Sequence, residues 1–388
     1  MRRKSIQRSI FVAGVIFIAM LDACVQTYVS PYKSPPTGYL VVEGYISGNG
    51  TTSFTLSRTM PLGGDSAAPR VTGAALQVEG SDNSVYPLTE EGNGLYSTDS
   101  LPLTTAVKYR LRIATPDGDA YLSEYVPYRP TPPIDSVHWV QNSNGVSIYV
   151  NTHDPANATR YYQWSYDQTY QYTAAEQSGF IYDTLMNSVV PRPDSLQIFN
   201  CWKDEPSTDI AIATSSRLQQ DEIYAYRLVQ IAPNTQPLSV LYSILVRQYA
   251  LTDSAYEFLS LMQKNSESLG SIFDAQPTQV SGNIHSMKNP GEQVIGYVSA
   301  GTLQQQRIFI SNNQLKNWEY FYECGDADTL VSPNPDSVHK YFATLGFIPT
   351  YQNFGPRQPL FGWFANQAGC LDCRMMGGLT VRPTYWPN

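Results

Sequence analysis

Short runs of alternating apolar and polar residues, each closed by a turn signal, constrain the fold of this chain more than any other feature of its sequence. The first run covers residues 39–46 and ends at Ser47-Gly48-Asn49-Gly50. Because successive side chains on a strand point to opposite faces, this period of two indicates strands with one buried face. Pro116-Asp117-Gly118 predicts a hairpin, since Asp-Gly tolerates the positive φ of tight turns. Residues 39–130 therefore predict seven strands in an immunoglobulin-like sandwich, although the spacing fits a small barrel equally well.

A proline-rich boundary separates this interval from a second β-rich one. Residues 127–133 contain four prolines, and strand-like runs resume at residue 136. We predict a second sandwich over residues 131–314, with one helix at about 254–269. Ser254-Ala255-Tyr256-Glu257 fits a capping box at its start, and the apolar residues that follow have helical spacing. Aromatic residues at even spacing between 161 and 172 predict an aromatic strand face, either packed on a core or exposed to a carbohydrate or a protein. The expected fold class is mainly β, with tandem immunoglobulin or fibronectin-III-like sandwiches and one inserted helix.

The first 23 residues predict a lipoprotein signal peptide. A basic start precedes an uncharged apolar run at residues 10–21, which is shorter than the ~20 residues that cross a bilayer. Leu21-Asp22-Ala23-Cys24 resembles a bacterial lipobox, in which the cysteine thiol receives a diacylglycerol. We therefore expect Cys24 to be lipidated and residues 24–38 to form a proline-containing tether; a plain signal peptide is the alternative.

The last interval, residues 315–388, is rich in aromatic residues and has few regular patterns. We predict an irregular region that packs on the second domain and is fixed by cross-links. An even number of cysteines in an exported chain indicates two disulfides, with three possible pairings. The four candidates are Cys201, Cys324, Cys370 and Cys373. The spacing of the last two also permits a redox pair or half a zinc site.

The charge and the absence of catalytic motifs disfavour several classes of protein. The chain has 33 Asp and Glu against 25 Lys and Arg, a formal net charge of −8, so we expect no nucleic-acid partner. The four histidines lie far apart, and no nucleophile elbow, phosphate-binding loop or dinucleotide motif is found. We predict no enzymatic activity, no metal and no cofactor. A glycan-acting hydrolase with paired carboxylates is a lesser alternative.

The chain carries a series of collinear motifs, which are Leu40-Val41-Val42-Glu43-Gly44-Tyr45-Ile46, Thr115-Pro116-Asp117-Gly118, Pro132-Pro133-Ile134-Asp135-Ser136, Gly282-Asn283-Ile284-His285, Val294-Ile295-Gly296-Tyr297, Cys370-Leu371-Asp372-Cys373-Arg374, Gly377-Gly378 and Pro383-Thr384-Tyr385-Trp386. Together these motifs resemble one family of proteins. The chain is similar to the domain of unknown function 4249 family, which consists of Bacteroidota outer-membrane lipoproteins commonly encoded beside TonB-dependent transporters of the SusC type. The resemblance implies a lipid-anchored protein of the outer membrane, at the cell surface or on the periplasmic face, whose partner is such a transporter and whose ligand is unknown.

These observations favour an accessory or ligand-capture partner of a TonB-dependent transporter. An independent adhesin or matrix protein is the alternative. Aromatic residues dominate interface hot spots, and the C-terminal interval carries several of them with almost no charge. The partner-binding candidates are Tyr351, Phe361, Trp363 and Phe364.

Overall fold

The N-terminal β region has eight strands, one more than its sequence pattern predicts. The computed structural model describes residues 38–60, 67–267, 282–322, 324, 329–354 and 359–387. The described residues from Leu40 onward belong to one compact unit. The first strands are β1 (Leu40–Ser47), β2 (Thr52–Arg58), β3 (Ala75–Gly80), β4 (Val85–Gly92), β5 (Leu95–Thr98), β6 (Lys108–Ala114), β7 (Ala120–Ser123) and β8 (Val126–Arg129).

Alternation of apolar and charged residues explains why these segments form strands with one buried face. On β6, Tyr109, Leu111 and Ile113 are buried, whereas the basic residues between them face outward. Arg110 on the outer face donates to Glu79 of β3, 2.7 Å from Nε to Oε2. The predicted turn at Gly118 is formed with positive φ, and Asn83 and Asn93 also have the positive φ of tight turns.

Three short strands from much later in the chain complete this region. They are β18 (Ile284–Ser286), β19 (Val294–Ile295) and β20 (Ala300–Gly301). β18 pairs with β7, β19 pairs in parallel with β1, and β20 lies between β1 and β8. Residues 284–301 fall inside the predicted second domain, but the structure places them in the first sheet. Sequence spacing cannot show this, because their partners lie more than 150 residues earlier.

The pairing of these strands closes on itself. β4 connects two layers, since its first half pairs with β3 and its second half with β5. β8 pairs with both β6 and β20, so the ring runs β1-β2-β5-β4-β3-β6-β8-β20 and returns to β1. A single apolar core fills the ring. The sandwich predicted from spacing thus has the closed connectivity of a barrel, which was the alternative that spacing left open.

Ten further strands follow; eight of them form the second β region, and the two within residues 180–191 form a separate hairpin. They are β9 (Ile134–Asn142), β10 (Gly145–Asp154), β11 (Tyr161–Thr173), β12 (Phe180–Asp183), β13 (Ser188–Pro191), β14 (Asn200–Pro206), β15 (Ala211–Thr214), β16 (Asp221–Ile231), β17 (Leu241–Ala250) and β21 (Leu303–Ser311). One sheet has the order β16-β10-β9, and the other has the order β14-β11-β17-β21 with β15 also beside β11.

The two sheets of this region share one core, which the aromatic residues of β11 dominate. Tyr162, Trp164 and Tyr166 alternate along the strand and are buried, as are Tyr170 and Tyr172. They pack against apolar residues of β10 and β16 from the facing sheet. The interpretation of the even aromatic spacing as a face packed on a core is therefore confirmed. The mainly β fold class is confirmed with it.

The predicted helix is α1 (Asp253–Glu267). The Thr252 hydroxyl accepts from the Ala255 N–H at 3.2 Å, so the cap lies two residues before the Ser254 cap that the sequence suggests. Ala255, Tyr256 and Leu259 pack on a small cluster that includes Ile212. The helix is therefore fixed on the outer side of the five-stranded sheet.

The C-terminal region is more regular than its sequence pattern indicates. It contains β22 (Thr329–Val331), α2 (Pro335–Val338), a π-helical turn (His339–Thr344), β23 (Phe347–Phe354), β24 (Leu360–Gln367) and α3 (Ala368–Leu371). Two bulges interrupt the pairing of β23 with β24, which breaks the period of two that would reveal them in the sequence. Four 3₁₀ turns complete the fold, at Asp194–Leu196, Gln236–Leu238, Asn312–Gln314 and Cys373–Met376.

The end of the chain packs on the second β region. The Trp386 indole donates to the Gln171 side chain at 3.1 Å, and the Tyr385 hydroxyl lies 2.8 Å from that of Thr169. The Arg307 guanidinium stacks over the Tyr385 ring at 3.8 Å from its centroid. These contacts place the final residues across the outer face of the five-stranded sheet.

Candidate functional site

Two disulfides fix the C-terminal region, as the cysteine count predicts. Cys201 of β14 bonds Cys373, and Cys324 bonds Cys370, with Cα atoms 5.7 Å and 5.4 Å apart. The closely spaced Cys370 and Cys373 therefore bond different partners and do not form a redox pair with each other. Their thiols are both consumed, so neither is a ligand for a metal ion. Cys24 lies outside the described residues, and its lipidation stays a prediction.

The second disulfide leads into a small lobe with its own core. The lobe consists of the sheet β22-β24-β23, helix α2 with its π-helical turn, and the hairpin β12-β13. Trp363 is 8% exposed and packs in this core with Val331, Phe342 and Ala365. The selection of Trp363 as a partner-binding residue was therefore wrong. Its side chain holds the lobe together, because it points inward from the central strand.

The other three partner-binding candidates are accessible. Tyr351 is 53% exposed and Phe361 is 58% exposed, whereas Phe364 is half-buried. The ring of Tyr351 packs on that of Phe364 with centroids 4.7 Å apart, and Leu330 lies opposite Phe364 on the paired strand. Leu330, Tyr351 and Phe364 therefore lie together on one face of the lobe. Phe361 is separate from it, near the end of the β23-β24 hairpin.

Sequence reasoning missed an exposed pair on the β12-β13 hairpin. Leu185 is 96% exposed and Met186 follows it at the turn, where the Asp183 carboxylate accepts from both backbone N–H groups at 2.8 Å and 3.0 Å. The turn is anchored by Asn187, whose φ is positive. The sequence signal that could have revealed this site is an apolar Leu-Met pair within a polar turn. Seven of the 21 exposed large apolar side chains in the described ranges lie in this lobe, which holds about one seventh of those residues.

A surface depression of about 510 Å³ on the second β region is the most polar alternative site. His153 and Asp135 form an ion pair there, with Nδ1 to Oδ2 at 2.8 Å, and this hydrogen bond raises the pKa of the His153 imidazole. The neighbouring Asp154 carboxylate already accepts from the N–H groups of Ala156, Ala158 and Thr159. The lining has no Ser, Thr or Cys that this histidine could activate. The pair therefore lacks a partner for nucleophilic catalysis.

The remaining histidines are distributed over separate elements. His138 stacks on Tyr149, His285 pairs with Glu124, and His339 lies beside Tyr182. No group of three His, Cys, Asp or Glu side chains in the described ranges is placed to share a metal ion. Among the helices that the structure describes, none combines the length and apolarity that a membrane-spanning helix needs.

The comparison with family models agrees with the sequence resemblance. Residues 26–307 match the model of a family described as "Domain of unknown function (DUF4249)". The chain belongs to the DUF4249 family. The matched segment contains the first β region, helix α1 and the hairpin β12-β13, and it ends within β21 of the second β region. Residues 329–367 of the lobe and both cysteines of the Cys370-Leu371-Asp372-Cys373 motif therefore lie outside the segment by which this DUF4249 protein matches its family.

Comparisons with individual proteins add little to the family assignment. No curated protein matches this DUF4249 chain. The solved structures include the "Crystal structure of chicken CNTN1 FN1-FN3 domains", aligned over 57% of this chain at 15% identity with a TM-score of 0.19. The alignment spans 65% of the length of that chain, slightly less than two thirds.

Proposed function

We propose that this DUF4249 protein is a non-enzymatic, lipid-anchored binding protein of the outer membrane that associates with a TonB-dependent transporter through its C-terminal lobe. The observation that carries this proposal is the concentration of exposed apolar side chains in the lobe. Between residues 341 and 367 the sequence has a single charged residue, Arg357. A surface of this kind is typical of a protein interface, because depletion of charge and enrichment in aromatic residues mark interface cores.

Because the protein is anchored to the membrane, an interface of modest affinity is sufficient for stable association. A body tethered to the membrane by its N terminus meets a neighbouring barrel at a high effective concentration, so weak intrinsic affinity gives stable association. The tether predicted at residues 24–38 provides the required reach. The choice of a TonB-dependent transporter as the partner comes from the family resemblance.

Engagement of the acidic groups supports a non-enzymatic role. Asp204 and Glu205 are adjacent in sequence, but Thr169 donates to the first at 2.6 Å, and Tyr170 donates to the second at 2.9 Å. Glu205 also pairs with Lys203 at 2.8 Å. Paired catalytic carboxylates of a glycosidase need one group free to protonate the leaving oxygen, and these two already have partners.

Removal of two exposed aromatic rings should separate the protein from the transporter. We expect Tyr351→Ser with Phe361→Ser to reduce the recovered barrel at least tenfold when the tagged protein is purified from detergent-solubilised outer membrane, since hot-spot aromatics cost ~2 kcal/mol or more each. Both side chains are more than half exposed, so the lobe keeps its core.

A matched variant outside the lobe separates this effect from a general loss of apolar surface. Tyr224→Ser with Val140→Ser removes two other exposed side chains from the second β region, and it should retain the barrel. If the wild type recovers no barrel, the transporter proposal fails, and binding of whole cells to glycan or protein surfaces would favour the adhesin. An equal loss of recovered barrel in both double variants would contradict an interface in the lobe.

The anchor can be tested independently of the partner. We expect the mature protein to begin at Cys24 with a diacylglycerol on its thiol, because Leu21-Asp22-Ala23-Cys24 resembles a lipobox. Mass spectrometry of the N-terminal peptide measures the added mass directly. An unmodified terminus at another residue would contradict the anchor and leave a plain signal peptide.

A further inference from the structure

A cleft of about 530 Å³ lies where the two β regions and helix α1 meet. One wall is formed by β1 and the residues around Gly296, the opposite wall by α1, and the floor by β11. The volume is in the range of small-molecule sites, ~300–1,000 Å³, which occur preferentially at such junctions. None of its lining residues belongs to the C-terminal lobe, so the cleft is separate from the proposed partner surface.

Most of the lining is apolar. Phe258, Leu259 and Met262 project from α1 toward Ile295 and Tyr297 on the other wall. In α1 these three residues lie on one face, because Met262 follows Leu259 by three positions and Phe258 by four. Their side chains are only partly buried, although Ala255, one turn earlier, is fully buried. The helix therefore presents apolar surface to the cleft that no other part of the described chain covers completely.

The floor offers hydrogen-bonding side chains that no other described residue engages. Gln163 and Ser165 alternate with the buried Tyr162 and Trp164 on β11, so they face away from the core. Neither side chain makes a hydrogen bond to another of the described residues, in contrast to Gln248 on the buried side of the same sheet. Polar groups of this type at the base of an apolar cleft fix the orientation of a ligand.

The charge of the cleft is negative. Glu43, on β1, is the only charged residue in the lining, and its side chain is exposed and has no ion pair with a described residue. The carboxylate attracts a cation at the rim and repels an anion. Tyr297 and Phe258 pack together with ring centroids 5.5 Å apart, and such ring faces also favour a cation.

We infer that this cleft binds an amphiphilic amine, a molecule with an apolar body and one ammonium group. The body lies between α1 and the Gly296 segment, and the ammonium group lies at the Glu43 carboxylate. A fatty acid of the same length fits the volume equally well, but the Glu43 carboxylate repels its charged end and weakens its binding. This activity goes beyond association with a transporter and does not depend on it.

The test uses a fluorescent reporter and two competitors that differ only in their charged end. Purified full-length Cys24→Ser chain, which carries no acyl groups of its own to dissolve the reporter, is titrated with N-phenyl-1-naphthylamine at low ionic strength. We expect saturable binding with one site per chain. Decylammonium should displace the reporter at about tenfold lower concentration than decanoate, because one is attracted and the other repelled by a partly solvated carboxylate.

Two variants distinguish the cleft from nonspecific binding. Glu43→Gln should bring the two competitors to within about twofold of each other, whereas Glu319→Gln, an exposed glutamate outside the cleft, should leave the tenfold preference intact. Ser165→Phe should fill the floor and abolish reporter binding, and Leu259→Trp does the same from the helix if the first variant folds poorly. No saturable binding, an equal response to both competitors, or an unchanged preference in Glu43→Gln would overturn the inference.

Discussion

Replacement of Cys201 and Cys373 by alanine is expected to lower the free energy of unfolding by about 3–5 kcal/mol. The disulfide joins residues 172 positions apart, and closing so long a loop removes much of the conformational entropy of the unfolded chain. Both cysteines are also completely buried, so the substitution adds a small packing defect. Urea titration of the oxidised wild type and the double variant measures the difference.

The other disulfide provides the matched control. Cys324 and Cys370 are 46 positions apart, and the same entropy model gives their removal an effect smaller by about 1 kcal/mol. This variant should loosen the lobe and leave the second core intact. If loss of the long-range bridge changes stability by less than loss of the short one, loop entropy is not the main contribution of these disulfides.

Trp164→Ala should be the most destabilising single substitution in the second β region, at about 5 kcal/mol. The side chain is 1% exposed and stacks between Tyr162 and Tyr226, with centroid distances of 5.8 Å and 4.8 Å. Its indole also donates to Gln248 Oε1 at 2.9 Å. The substitution therefore opens a cavity and leaves a buried amide oxygen without its donor, and both effects reduce the urea midpoint.

Tryptophan-to-phenylalanine variants separate packing from hydrogen bonding. Trp164→Phe keeps most of the ring contact but removes the N–H, which should cost about 1–3 kcal/mol. Trp363→Phe is the matched case, since the Trp363 Nε1 is buried without a hydrogen-bond partner among the described residues. Trp363→Phe should lower the free energy of unfolding by less than Trp164→Phe does. Equal losses would show that the Gln248 hydrogen bond contributes little.

Local patterns predicted the parts of the fold that depend on local chemistry. The strands around Tyr109 and Trp164 follow from alternation, because one face of each is buried in a single core. The helix at 253–267 was predicted from its apolar spacing, but its cap was placed at Ser254 because the sequence cannot show that the Thr252 hydroxyl points at the first turn. Such errors at helix ends arise because several cap residues stand close together.

The candidate site was predicted only in part. Aromatic composition located the lobe, but it could not separate Trp363, which is buried, from Phe361, which is exposed. The bulges in the β23-β24 pairing remove the period of two that assigns side chains to faces. The cleft beside α1 was not predicted, because its walls come from residues 41–45 and 295–299 together with the helix. The disulfide pairing was open for the same reason, since it depends on long-range contacts.

The late strands β18, β19 and β20 set an order of events for the folding of this chain as it is synthesised. The region that is made first, residues 40–129, lacks the segment that lies between β1 and β8 until residue 301 has also been made. Until then β1 presents an unpaired edge to other chains, which is a hazard for aggregation. Its maturation therefore depends on protection by a chaperone or on rapid completion of the chain, and a chain that stalls between residues 130 and 284 is a natural substrate for quality-control proteolysis.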